Sequence, residues 1–532
     1  MTRTVGASSR GAPLPDRVPP AAPARSFARR LLADTGQAAL GRLLSLGTWT
    51  LLVPFLLRGL GSEGFALWAL FFSLTGYLSA LDLGFSQGTL RHVAAARARG
   101  DGREAGEFAL VGLLGYLALG VGWLALTPLL REPALDLLRI GAAQREVAGL
   151  LFTLGPVAFA FMGTSMVTAT SLQGWGRFDL ANAVTLSSVL VQAGGALLAL
   201  QRGWGLIGVV SFAIAGSVTG TLAGLLMLQV GARGFEWGTP ARSAKRVREV
   251  IAFGGPLQIG NILGVAHQQL DKVLLSRYVA LALVTPYELG LRVSTVLGSL
   301  PQQLLLALIP AASGYHALGD DAGLRAAHDR GSRWVMTITA TLAAGMLAGA
   351  PRLLGAWLGT PPVGADLAVL GLTLAMVAAM TTGTGTAIAR ALGRTRYEAE
   401  YSAVGLVVHV VLGLWWVPRY GLPGALLAIG IANVLASLWF LWRFGRTTGW
   451  GFAAVFVRPA LVPLLAMTAG AFAGGAFERL LPPATGWVRW PWALVATAVP
   501  GGIVVAVLLL TRFLPVAEVR ALLRRGAAPA AS

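Results

Sequence analysis

The chain has no cysteine and, across 532 residues, only two lysines, Lys245 and Lys272. Without thiols there is no disulfide framework, no thiolate metal site and no cysteine nucleophile. Neither lysine follows a glycine, so no Walker A loop can form; active transport would have to draw on an ion gradient or a partner. Charge is scarce as well. Asp, Glu, Lys and Arg together make up 12% of the residues, about half the share usual in soluble domains. HExxH, GxSxG and paired carboxylates in a sizeable loop are all missing, and the five histidines are scattered. These absences point away from an enzyme, and no motif calls for a cofactor or a metal.

What the chain has in abundance is apolar residues, 55% of the total. They recur in stretches of about 20, the length that crosses a hydrocarbon core as a helix. About fourteen such stretches can be read, the first near residues 37–57 and the last near 491–511, joined by loops too short for an extramembrane catalytic domain. The expected fold is therefore an all-α polytopic membrane protein. A net charge of +19 would suggest nucleic acid in a soluble protein. Here the basic residues gather before the first stretch (Arg25, Arg29, Arg30), after the second (Arg91, Arg97, Arg99, Arg103), before the seventh (Arg242, Lys245, Arg246, Arg248) and at the end (Arg520, Arg524, Arg525). With an even number of spans, these clusters share one side, which the positive-inside rule makes cytoplasmic along with both termini. Their expected partners are anionic membrane lipids and not nucleic acid.

An internal repeat organises the spans. Gly41, Arg58, Gly100 and Asp101 recur 219 positions later as Gly260, Arg277, Gly319 and Asp320. Gly176 and Arg177 recur as Gly393 and Arg394, and Arg202 as Arg419, at an offset of 217. Each copy covers six spans, so the two copies share one orientation, as in transporters built from parallel repeats. The expected division is a disordered cytoplasmic tail (1–36), a first six-helix lobe (37–229), a basic cytoplasmic linker (230–249), a second six-helix lobe (250–445), and two extra helices with a basic tail (446–532).

In lipid a polar side chain is costly, so it should face protein or a wet cavity. At 100° per residue, Glu288, Arg292, Thr295, Ser299, Gln302 and Gln303 of the eighth span fall within an arc of about 100°. Gln258, Asn261, Gln268 and Lys272 of the seventh share about 80°. These faces are candidates for one wall of a central cavity. The equivalent positions of the second span are small, Ala69, Ser73, Gly76, Ala80 and Gly84 among them, and suit either a roomy cavity or tight helix packing. Glu288 and Arg292 stand i,i+4, either neutralising each other or serving a substrate anion. Arg42 either snorkels to the inner interface or reaches the cavity. His267 and Asp271 form another i,i+4 pair, a structural hydrogen bond or a carrier for a coupling proton. His409, a lone histidine in the eleventh span, reads as a satisfied core residue.

Several stretches carry a resemblance: LLRGLGSEGFALWAL from Leu56, YLSALDLGF from Tyr77, the RARGD loop ending at Asp101, SLQGWGRFD from Ser171 and QLDKVLLSRYVALALVTPYELGLR from Gln269. In order and spacing, the chain resembles the polysaccharide flippases of the multidrug/oligosaccharidyl-lipid/polysaccharide exporter superfamily, from about residue 37 to 510. The resemblance implies two six-helix lobes in a V and a cationic central cavity. It implies flipping of undecaprenyl-pyrophosphate-linked oligosaccharide across the bacterial inner membrane, cation coupling, and a polysaccharide polymerase or export machinery as a possible partner. It points to Arg42, Lys272 and Arg292 as the cationic residues. The second span departs from the pattern, with Asp82 and no buried cation. The competing readings are a cation-coupled drug antiporter of the same superfamily and a polytopic glycosyltransferase or polymerase.

Overall fold

A computed structural model describes residues 24–394, 396–483 and 488–515, without the side chains of 24–46, 241, 253–257, 259 and 307. Among the described residues there are fifteen α-helices and no strand. They are α1 (Ala24–Ala80), α2 (Phe85–Ala98), α3 (Gly102–Leu137), α4 (Ala142–Gly174), α5 (Phe178–Gln201), α6 (Gly205–Gly231), α7 (Pro240–Tyr278), α8 (Val284–Ala317), α9 (Asp321–Leu358), α10 (Ala365–Met380), α11 (Gly383–Ala391), α12 (Arg396–Tyr420), α13 (Leu422–Thr448), α14 (Arg458–Glu478) and α15 (Arg489–Leu510). The chain is a multi-pass membrane protein of all-α fold. Helices dominate because a backbone in hydrocarbon must satisfy its own hydrogen bonds, and α-helices do so within one segment.

Eleven of the helices are long and apolar enough to cross a membrane, or twelve if the bent pair α10 and α11 forms one span. The expected fourteen are not reached by this criterion. The first two expected spans run together in α1, and α7, which includes undescribed side chains, is not among those counted. Within α1 the chain nevertheless breaks at Gly61, with φ 69° and ψ 178°, a conformation essentially reserved for glycine. The expected second span also stops early: α1 ends at Ala80, and a turn through Leu83 (φ 56°) and Gly84 (φ 78°) starts α2. At its other terminus α1 begins at Ala24, ahead of the expected 37; the rest of the expected tail, residues 1–23, lies outside the described residues.

The repeat has a structural counterpart. Gly100 and Gly319 both adopt positive φ, and the aspartate after each caps the next helix. Asp101 Oδ1 accepts from the Glu104 amide at 2.8 Å, and Asp320 Oδ1 accepts from the Gly323 amide at 2.7 Å. Packing follows the same order. Helices α1 to α6 contact one another, α7 to α13 form a second set of neighbours in which α7 also packs on α1, α2 and α3, and α14 and α15 pack on α9. The segment before α7 is clasped to α3: the Glu236 amide donates to the Gly102 carbonyl at 3.2 Å. Gly102 and Gly106 leave the space this needs, since a Cβ on either would stand within 2 Å of the Gly234 or Glu236 carbonyl oxygen.

Candidate functional site

The site grows from the facing turns of α7 and α8 near their connection, where charged side chains are buried. Lys272 is 3% exposed and Glu288 6%, so each needs a partner. Lys272 Nζ lies 2.6 Å from Glu288 Oε2, and Arg292 Nε lies 3.0 Å from Glu288 Oε1. Lys272 also donates to Ser73 Oγ of α1 at 3.1 Å, and the Arg292 guanidinium sits 4.7 Å from the centre of the Trp68 ring. Two cations share one carboxylate, leaving the cluster with a net positive charge. Ser73, expected only as a small residue on the second span, thus helps join α1 to α7. It is also 2.8 Å from Gln269 Oε1.

One residue before Lys272, the chemistry changes. Asp271 is fully buried; its Oδ2 accepts from the Tyr287 hydroxyl at 2.6 Å, and its Oδ1 lies 2.9 Å from His409 Nε2. His409 Nδ1 lies 3.2 Å from His267 Nδ1, and His267 Nε2 lies 3.1 Å from Asn433 Oδ1. His267 and Asp271 are therefore linked through His409 and not as an isolated pair. His409 is buried, as expected, but it is not alone: it is the bridge. Tyr287 and Asn433 were missed, the first as one aromatic among many and the second as the single polar residue of an apolar stretch. A polar residue in the middle of α13 was the available signal.

A cavity of about 510 Å³ opens beside this chain, between α7, α8, α10, α12 and α13. His267, Gln268, Thr295, Gln302 and Asn433 contribute its polar lining, with Leu291 and Met376 among the apolar residues. Ser299 is half-buried and bonds its own helix at Val296; Gln303 is half-buried. Gln258 turns away from this cavity, donating to the Ala80 carbonyl at the end of the long first helix, and exposed Asn261 donates to Gln258 at 3.4 Å. Arg42 has no described side chain. The polar stripe is thus divided. Its half near the α7–α8 connection is sealed around Lys272 and Glu288, and its other half presents exposed Asn261, Gln268, Thr295 and Gln302.

The seal is made by contacts between the two sets of helices. At the connection end, Thr285 donates to the Ser62 carbonyl at 2.6 Å and Trp357 Nε1 to the Thr50 carbonyl at 3.0 Å. At the far end, Arg246 meets Glu104 and Glu107, each at 3.2 Å. Hydrogen bonds to Glu249 and Glu107 raise the Arg246 pKa above its ordinary value, although partial burial opposes them. Hence α7 is tied to the first set at both ends, by Lys272 on Ser73 and by Arg246 on Glu104 and Glu107. Among the described residues no group of three or more His, Asp or Glu is arranged to hold a metal ion.

The buried cationic cluster and the polar cavity thus both lie on helices of the second set, with Ser73 and Trp68 of α1 reaching the cluster. Residues 31–316 match the family described as polysaccharide biosynthesis protein. The chain belongs to that family. A Shigella flexneri protein that bears the name O-antigen transporter is 22% identical over 396 residues, covering 74% of this chain and 92% of its own. Among solved structures, the lipid II flippase MurJ in an inward closed conformation has a TM-score of 0.68 at 13% identity, over 90% of this chain and 99% of that one. An inward-facing multidrug resistance MATE transporter of the MOP superfamily gives 0.64 at 16% identity, over 76% and 96%. These members of the wider fold are carriers and not catalysts, and the chain shares their fold.

Proposed function

We propose that this protein flips a lipid-linked oligosaccharide, held on an undecaprenyl-diphosphate carrier, from the cytoplasmic to the periplasmic leaflet by alternating access, coupled to a cation. The observation that carries this reading is the net-positive Lys272–Glu288–Arg292 cluster standing where the polar wall closes. A diphosphate and its sugar hydroxyls cannot cross hydrocarbon unaided, because each unsatisfied group costs several kcal/mol. Gln268, Thr295 and Gln302 offer the hydroxyls partners, and the cationic cluster offers the diphosphate an opposite charge. With both termini cytoplasmic, the α7–α8 connection is periplasmic and the exposed half of the stripe faces inward, which is the loading side. The O-antigen transporter and lipid II flippase among the similar proteins support the same substrate class.

Loss of the gene should leave intact lipid-linked repeat units on the cytoplasmic leaflet; their normal appearance in the periplasm would refute the proposal. Arg292→Ala should lower transport about tenfold or more, the scale of a lost charge-assisted hydrogen bond, while the protein still inserts. Unchanged transport at wild-type protein level would remove Arg292 from the site.

A further inference from the structure

The buried chain from Asn433 to Tyr287 can be read hydrogen by hydrogen. Asn433 Nδ2 donates to the Ala375 carbonyl of α10 at 3.2 Å, which fixes the amide so that its Oδ1 faces His267. That oxygen only accepts, so His267 Nε2 must carry a hydrogen. The two Nδ1 atoms, 3.2 Å apart, need one hydrogen between them. So do His409 Nε2 and Asp271 Oδ1 at 2.9 Å. The other Asp271 oxygen is served by the hydroxyl hydrogen of Tyr287. Three contacts therefore require three hydrogens, whereas two neutral imidazoles bring only two. We infer that His267, His409 and Asp271 form a binding site for a single exchangeable proton, filled in this conformation and reached from the cavity through His267.

Filled, the three side chains carry no net charge, whether the proton sits on an imidazole or on the carboxyl. Emptied, they carry one negative charge, and one contact becomes two lone pairs facing at hydrogen-bond distance. Asp271 and His409 are both fully buried, so no water is at hand to relieve that contact. Release therefore needs α12 to draw away from α7, which parts the two Nδ1 atoms and opens His267 to cavity water. The step moves one proton between imidazole and water, with no other bond made or broken. The groups facing the site are Tyr77 of α1, Lys272 of α7, Tyr287 and Glu288 of α8, and Tyr401 of α12, which lines the same cavity. Lys272 and Glu288 each follow a member of the chain, Asp271 and Tyr287. A shift of α7 against α8 thus disturbs the proton site and the cationic cluster together.

This deepens the flippase reading by naming the coupling ion as a proton, and it rests on that reading only for its consequence. Its test needs no glycolipid. The full chain is placed in nanodiscs of phosphatidylethanolamine and phosphatidylglycerol, and the protons released between pH 5 and 9 are counted by titration. In Asp271→Asn the new amide can donate to His409 and accept from Tyr287, keeping every hydrogen bond while removing the extra proton. The wild type should release one proton per chain more than this variant. An equal count from the folded variant would overturn the site. Should the variant not fold, the ¹⁵N-histidine spectrum of the unaltered protein decides: one hydrogen shared between two Nδ1 atoms is expected, and two bare Nδ1 atoms at neutral pH would overturn it. Failure of either measurement leaves the gene-loss test standing, and failure of that test leaves the proton count standing.

Discussion

A carboxylate buried between two cations is worth more by its absence than by its presence. Glu288 faces Lys272 at 2.6 Å and Arg292 at 3.0 Å, and replacing an ion pair wholesale is often neutral while removing one partner is not. Glu288→Gln leaves two like charges facing each other, with Lys272 fully enclosed. The variant should lose about 3–5 kcal/mol, the usual cost of an orphaned buried charge, measured as a fall in the thermal midpoint in detergent. The added change Lys272→Met should recover much of it; no recovery would mean that the loss came from packing. Glu288, Arg292 and Lys272 were legible beforehand because polar groups in lipid cannot be idle. The role of His409 was not. Its partners lie 138 and 142 positions away, and the register of α12 against α7 is a tertiary fact that no helical periodicity encodes.

At the scale of the element, the spans were readable from apolar length and the repeat from the Gly–Asp pairs, whose capping role is local chemistry. The first helix break was legible too: Gly61 lies in the polar, glycine-rich stretch 58–64 that separates the first two expected spans, and its backbone lies where other residues are strained. A Cβ there would meet nothing within 4 Å, so Gly61→Ala tests the backbone alone. It should cost about 1–3 kcal/mol, seen as a lower thermal midpoint. A variant as stable as wild type would mean that the two halves of α1 can realign into another break. The turn at 81–84, by contrast, was hidden inside the second expected span, since Asp82 reads as an isolated charge until its Oδ1 is seen to accept the Gly84 amide at 2.8 Å, with the Tyr116 hydroxyl on its other oxygen.

For the whole molecule, the proposed alternating access requires that one end of the interface open while the other holds. At the connection end Arg58 donates to the Leu358 carbonyl at 3.4 Å, beside neutral bonds from Thr285 to the Ser62 carbonyl, from Trp357 to the Thr50 carbonyl and from Ser276 to the Leu138 carbonyl. Each neutral bond offers little net stability, about 0.5–1.5 kcal/mol, which suits contacts that the proposed cycle would make and break. The far end holds α7 through a charged clasp, Arg246 on Glu104 and Glu107. If the Ser62–Thr285 contact parts during transport, joining those residues should stop the cycle. The chain has no cysteine, so the pair Ser62→Cys with Thr285→Cys introduces the only thiols. Oxidation or a short bifunctional thiol reagent should abolish transport, and for the disulfide, reductant should restore it. Each single variant should be indifferent to the same treatment. Full transport by the cross-linked protein would show that this end stays closed throughout, and that the passage does not open between α1 and the start of α8.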